Sequence, residues 1–563
     1  MTNGPTRRDF LASAAALTAL PVLPHADPAS SGPPATFLDL RHPPDSITAQ
    51  TRTDYRVLQA APNGRWEAGR IAVSCTPEPG ALRVTLTAPD DGIQRLHLRW
   101  RGRLGATRLL LGDAWERAYG DLEWRSFVPN RVMPWYVAAW DGKLTNCYGV
   151  RTGASAFCFW QVDPQGISLW ADVRSGSIAI RLGDRELHVC DVVCRAGQQD
   201  QSPFAALHRF CRDMCPAPRL PAQPVYGHND WYYAYGNNSE ITVLDDTKRI
   251  VELSPSGDNR PFAVIDDGWQ PERSADKLGV GMWDRGNERF PDMPGLANRI
   301  RQAGARAGIW IRPLLAPKDA PDAWRLSRAR TMLDPTVPGV LEKVAADIGR
   351  LHQWGYDLIK HDYSTFDILG RWGSQMGSSL TGGNWTFAAG PIRTTAEVIN
   401  ELYRTIRTAA GDTLVIGCNS VSHLSAGQFE MCRIGDDTSG TEWERVPRMG
   451  VNALGFRAVQ HGAFYVADPD CVGVTTAIPW ELNRQWLDLL ARSGTMTFVS
   501  LAPDAIGAEQ RRDLRTALAT AARPQPLREP LDWQETTWPT RWTGPRHENG
   551  YSWVSPDGAA LPG

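Results

Sequence analysis

The chain has 563 residues, a formal net charge of -2 and 42% hydrophobic residues. That length exceeds one compact core, so two or three domains are expected. The near-neutral charge gives no electrostatic basis for binding nucleic acid or an acidic membrane surface.

The first feature along the chain is Arg7-Arg8, followed by the apolar run 11–23. The run falls short of the roughly 20 residues needed to span a bilayer. A twin-arginine pair before a short apolar stretch reads as a Tat export signal over 1–26, cut after Ala26. The mature protein is then periplasmic or secreted, with no membrane association beyond export and a disordered Pro/Ser-rich lead-in at 27–35. Export permits disulfides among the ten cysteines, and Cys190/Cys194 and Cys211/Cys215 are the nearest pairs in sequence. No C-x2-C zinc pattern is present.

Residues 36–218 read as an N-terminal β-sandwich domain. Apolar or alternating runs at 82–86, 96–100, 156–160, 167–170 and 187–190 are separated by Gly, Pro and Asp clusters. A helix is expected over 203–215, then a Pro-rich linker over 216–224. From 219 to 525 the rhythm changes. Apolar strands at 225–231, 262–267, 307–312, 357–362, 414–419, 430–436, 463–467 and 496–501 alternate with amphipathic helices such as 296–303, 340–354, 395–409 and 480–492. Eight strands in that length predict a catalytic (β/α)8 TIM barrel. An open doubly wound sheet would carry a Gly-rich phosphate turn after its first strand, and none follows His228. Residues 526–563 are expected to form a short C-terminal β segment, with a hairpin over 538–553.

In a barrel the chemistry sits at the C-terminal strand ends, and here those ends carry acids. Strand two ends in Asp266 and Asp267, strand four in Asp362, strand six in Asp436 and Asp437, strand seven in Asp468 and Asp470. Any one of them can be an N-cap, but acids after buried runs cost desolvation energy unless they are paired or used. Lys360 shares a strand face with Asp362, and Arg433 precedes Asp437 by four residues, so both acids have a cation to keep them ionised. Two carboxylates across a bond suit glycosidase chemistry. A phosphate cradle and a G-x-S-x-G nucleophile elbow are both missing. Tryptophan, with 23 copies, mostly fills cores, but its faces also stack on sugar rings. Acids holding Mg2+ or Ca2+ in a metal-dependent hydrolase form a competing reading, as does a non-catalytic carbohydrate-binding protein with a degenerate barrel. No cofactor and no bound metal are expected.

Taken in order, these residues resemble glycoside hydrolase clan D, the α-galactosidase (melibiase) families 27 and 36, over about residues 110–535. Trp231-Tyr232 is similar to the family's sugar-facing aromatic pair, and Asp266-Asp267-Gly268-Trp269 to its D-D-G-W motif, whose acids bind sugar hydroxyls. Gly308-Ile309-Trp310 resembles strand three, and Lys360-His361-Asp362 the K-x-D element, whose Asp is the nucleophile. Arg433 with Asp437 resembles the R-x-x-x-D element, whose Asp is the general acid/base; Asp436 is the alternative. Asp468-Pro469-Asp470 matches D-P-D. The N-terminal sandwich favours family 36, and residues 113–124 resemble its loop that approaches the active site.

The resemblance implies a retaining exo-hydrolase of terminal α-galactosyl residues in oligosaccharides or glycoconjugates, working through a covalent glycosyl-aspartate. Its carboxyl groups would lie about 5–5.5 Å apart. It also implies substrate contacts from Trp231, Tyr232, Asp266, Asp267, Trp310, Lys360, Arg433 and Asn419, and allows an oligomer. Two strand ends depart from the pattern: Arg312-Pro313 stands where family 36 has Glu-Pro-Glu, and Cys418-Asn419-Ser420 lacks the usual acid or Gly-rich turn. A related sugar, α-N-acetylgalactosamine or β-L-arabinopyranose, is therefore the alternative substrate.

Overall fold

The computed structural model describes residues 37–271, 281–544, 550–555 and 558. The expected export signal, its lead-in and the tip of the expected C-terminal hairpin lie outside them. The first part is a large antiparallel sheet of thirteen strands, from Ser46–Thr51 to Leu187–Arg195. Alternation found its central strands, Ala81–Thr87, Ile93–Arg101, Phe157–Asp163, Gly166–Asp172 and Leu187–Arg195. It missed strands such as Tyr55–Ala60, where Leu58 alone is buried and no inward file exists to read. The expected helix is Pro203–Met214, whose N-cap Ser202 accepts from Ala205 N–H.

The second part is a nine-stranded sheet with every pairing parallel. Its strands are Tyr226–Asn229, Phe262–Ile265, Arg306–Ile311, Leu358–His361, Leu414–Gly417, Met431–Arg433, Val466–Asp468, Val472–Val474 and Thr497–Leu501. The two outermost in hydrogen-bond order, Val466–Asp468 and Val472–Val474, are consecutive in the chain. Met496 N–H donates to Ala467 O at 3.0 Å beside them. The seventh strand therefore starts later than its expected 463–467 and is broken at Pro469–Cys471, where Asp470 adopts φ 81°. Helices Met293–Gln302, Pro338–Gln353, Thr395–Ala409 and Trp480–Arg492 lie close to their expected positions.

Alternation sorts the parallel strands into two faces. A separate apolar cluster contains Phe262, Val264, Leu358, Ile416, Met431 and Phe498. Two residues further along their strands these files reach Asp266, Lys360, Cys418, Arg433 and Ser500. The inner face thus starts apolar and ends polar at its C-terminal edge.

One expectation is corrected here. Among the described residues after 521 there is no strand, only the isolated bridge between Pro530 and Trp542. Backbone pairing is limited to single bonds such as Leu531 N–H to Arg541 O and Thr543 N–H to Glu529 O, and the Asp532 carboxylate takes the N–H groups of Thr540 and Arg541. The segment docks through side chains, with Trp533, Trp542, Tyr551 and Trp553 buried. The cysteine pairs 190/194 and 211/215 are unbonded, and all ten thiols are free.

Candidate active site

The C-terminal ends of the parallel strands bring most of the sequence-nominated residues together. Lys360 Nζ donates to Asp266 Oδ2 at 2.7 Å, with both side chains buried. Burial opposes the lysine charge, but Asp266 outweighs it and lifts the ammonium pKa. Asn229 Nδ2 donates to the same Asp266 oxygen at 2.7 Å, and Asp267 N–H to Oδ1 at 2.9 Å. Asp267 in turn accepts from Gln270 Nε2 at 2.6 Å.

Asp362 follows the fourth parallel strand. Trp310 Nε1 donates to its Oδ2 at 3.0 Å and Tyr363 N–H to its Oδ1 at 2.7 Å. Trp310 is 4% exposed, so it holds the carboxylate and offers no ring face. The next residue, Tyr363, has φ 65°, a left-handed backbone that costs a non-glycine residue of order 1–3 kcal/mol and tends to occur at functional sites. Arg312 sits 4.1 Å from the Tyr363 ring centroid and forms a two-pronged pair with Asp367, at 3.0 and 2.6 Å. The departure at strand three is thus a brace behind Tyr363.

Arg433 NH2 lies 2.8 Å from Asp437 Oδ1 and 3.0 Å from Asp470 Oδ2. Tyr232 hydroxyl also donates to Asp470, so Tyr232 is buried behind the acids. Asp437 is 41% exposed; desolvation pushes its pKa up, but Arg433, Arg117 and Lys360 outweigh this and hold it at about 2. Asp436 pairs with Arg117 NH2 at 2.8 Å and Arg445 NH2 at 3.2 Å. One cleft is lined by Asp362, Tyr363, Asp436 and Asp437 with Arg117, Trp372 and Arg445. Trp231 is half-buried at the first strand end and packs against the inner apolar cluster.

Asn419 corrects an expectation, because it makes no approach to the cleft. It is fully buried; its Oδ1 accepts from Phe366 N–H at 3.1 Å and its Nδ2 donates to Glu116 Oε2 at 2.6 Å. Glu116, Arg117 and Tyr119 were missed as individual residues, although their loop was singled out. Trp372 and Arg445 were missed outright, since loop residues far from any strand end carry no periodic signal. Among the described residues no three His, Cys, Asp or Glu side chains converge as a metal site.

No protein-family model matches the sequence. The chain is 31% identical over 122 residues to an α-galactosidase of Escherichia coli, covering 21% of this chain and 16% of that protein. It is 28% identical over 86 residues to the α-galactosidase AgaA of Geobacillus stearothermophilus, covering 15% and 11%. These matches span less than a fifth of the relatives' lengths. In structure, TtGalA, an α-galactosidase of Thermus thermophilus, aligns over 84% of this chain and 94% of its own at TM-score 0.55 and 19% identity. The family-36 α-galactosidase AgaA aligns over 88% and 71% at TM-score 0.55 and 14% identity. In its matched stretch and in its fold, the chain is similar to the family-36 α-galactosidases.

Proposed function

We propose that the protein is an exported retaining exo-glycosidase that removes terminal α-galactosyl residues from oligosaccharides or glycoconjugates. The observation that carries this reading is the shared cleft of Asp362, Asp436 and Asp437, with the Trp310 N–H fixed on Asp362 at 3.0 Å. Two carboxyl groups facing one cleft are what double displacement at a glycosidic carbon needs. Asp362 attacks the anomeric carbon and forms the glycosyl-aspartate. Asp437 is ionised in the free protein and acts after taking up a proton: it gives that proton to the leaving oxygen, then takes one from the water that attacks the anomeric carbon and releases Asp362; Asp436 is the alternative for that role. Asp266 and Asp267, at the end of the second parallel strand, accept from the sugar hydroxyls.

The parallel strands read as a (β/α)8 barrel over 219–525, closed through the broken seventh strand, and the antiparallel sheet as an N-terminal sandwich over 36–218. Solved relatives support the substrate class: TtGalA carries stachyose in one structure, and a variant of AgaA carries raffinose in another.

The test is Asp362→Gly with nitrophenyl α-galactoside and added azide. Turnover is lost and returns as galactosyl azide, because the small anion fills the space of the deleted carboxylate. Lost activity that azide does not restore refutes Asp362 as nucleophile. Asp437→Ala and Asp436→Ala, compared on activated and unactivated leaving groups, identify the acid: its variant loses far more on the poor leaving group.

A further inference from the structure

Arg117 comes from the antiparallel part of the chain, yet it ends among the acids of the parallel strands. Its loop is bonded to the extension of the sixth parallel strand: Ala118 N–H donates to Ile434 O, and Asp436 N–H donates to Ala118 O, both at 2.8 Å. The side chain is 8% exposed. NH2 lies 2.8 Å from Asp436 Oδ1, and NH1 lies 3.5 Å from Asp437 Oδ1. The ring centroids of Tyr119 and Trp372 lie 5.6 and 5.4 Å from its Cζ. A planar guanidinium holds two adjacent carboxylates in directions set by its fixed forks, whereas a lysine ammonium is a compact charge with rotatable donors.

The loop around it is locked. Glu116 is fully buried and accepts from the Tyr119 hydroxyl, from Gly373 N–H at 2.9 Å and from Asn419 Nδ2 at 2.6 Å. One carboxylate therefore ties the Arg117 loop to the loop after the fourth parallel strand, at Gly373, and to the end of the fifth, at Asn419. The buried Asn419 is explained by this tie.

We propose that Arg117 is a positioning residue for the acid/base step, fixing Asp436 and Asp437 in separate orientations so that one of them faces the leaving oxygen. The inference rests on the α-galactosidase reading of the cleft. The charged and titratable groups facing Arg117 are Glu116 and Tyr119 on its own loop, Asp436 and Asp437, and Cys418. Asp437 also meets Arg433, Lys360, Tyr232 and Tyr363, and Asp436 meets Arg445. Arg117 makes no ion pair with Asp362, although both line the cleft.

The experiment compares Arg117→Met and Arg117→Lys with wild type on melibiose and on p-nitrophenyl α-galactoside across pH. Arg117→Met is expected to lower kcat/KM on the disaccharide by about 100-fold and on the nitrophenyl substrate by about 10-fold or less, as loss of general acid catalysis does. The pH limb of the acid/base moves up because a cation beside it is gone. Arg117→Lys returns the limb toward its wild-type position but keeps part of the leaving-group gap. It also serves if the methionine variant does not fold. Equal losses on both substrates with an unchanged pH profile overturn the proposal, as does full activity. Wild-type protein that cleaves neither substrate sinks the α-galactosidase reading itself, whereas wild-type turnover with an unmoved variant profile sinks the Arg117 role alone.

Discussion

The Lys360–Asp266 pair joins the ends of the fourth and second parallel strands, and Lys360→Met tests what it is worth. The pair is 2.7 Å long, with side chains 12% and 4% exposed. Removing one partner of a buried pair leaves the other charge uncompensated, at a cost of about 3–5 kcal/mol. Asp266 keeps two donors, Asn229 Nδ2 and Asp267 N–H, which places the cost at the lower end, about 3 kcal/mol. At roughly 2–4 °C per kcal/mol for a large domain, the melting temperature falls by about 6–12 °C. The double variant Lys360→Met/Asp266→Asn removes both charges together and recovers most of that loss. Urea unfolding of wild type, both single variants and the double closes the cycle. A Lys360→Met protein within about 1 kcal/mol of wild type refutes the reasoning, since that is the worth of a surface pair. A double variant as unstable as the sum of the singles refutes it too, because the two charges would then not be coupled.

Trp310→Phe removes the indole N–H that Asp362 accepts at 3.0 Å. A hydrogen bond to a charged group is worth about 1.5–3 kcal/mol, so kcat/KM on nitrophenyl α-galactoside should fall about 10–100-fold; a fall below about 3-fold would show that this bond does not hold the nucleophile. Asp230 is buried, and burial together with the charge of Asp266 pushes its pKa up to about 8. The native state therefore binds a proton that the unfolded chain releases near pH 4, so the contribution of Asp230 to stability is greatest below that pH and is lost as pH rises toward about 8. Asp230→Asn removes that contribution, so its melting temperature relative to wild type rises as pH goes from 4 to 8. Melting curves from pH 4 to 8 that keep the wild-type slope in Asp230→Asn would refute the assignment.

The chemistry at the strand ends was legible because a strand has period two. Leu358, Lys360 and Asp362 form one inward file, and so do Phe262, Val264 and Asp266. An apolar file that ends in a charge marks where the sheet meets solvent. Asn419 was misread because its file position says nothing about which partner its amide takes, and Glu116 reaches it from a residue 303 positions away. Arg312 was legible as a departure but not as a brace, since its meaning depends on Asp367 and on the left-handed Tyr363. The broken seventh strand was misplaced for a related reason: a three-residue strand is too short for alternation to fix its start.

The two parts of the chain therefore meet as one cleft. Asp113, in the loop that delivers Arg117, pairs with the fully buried Arg457 at 2.8 Å and accepts from Gln460 Nε2 at 2.9 Å. Asn452 Nδ2 donates to Leu122 O at 2.9 Å at the far end of the same loop. The loop is clamped at both ends to the helical segment after the sixth parallel strand, which also carries Arg445. The cations on Asp436 come from both sides of that contact, Arg117 from the antiparallel part and Arg445 from the parallel part. Separating the parts would leave Asp436 with one arginine and strip Asp437 of its second, so the electrostatics of the acid pair belong to the contact between the two sheets rather than to the strand ends alone.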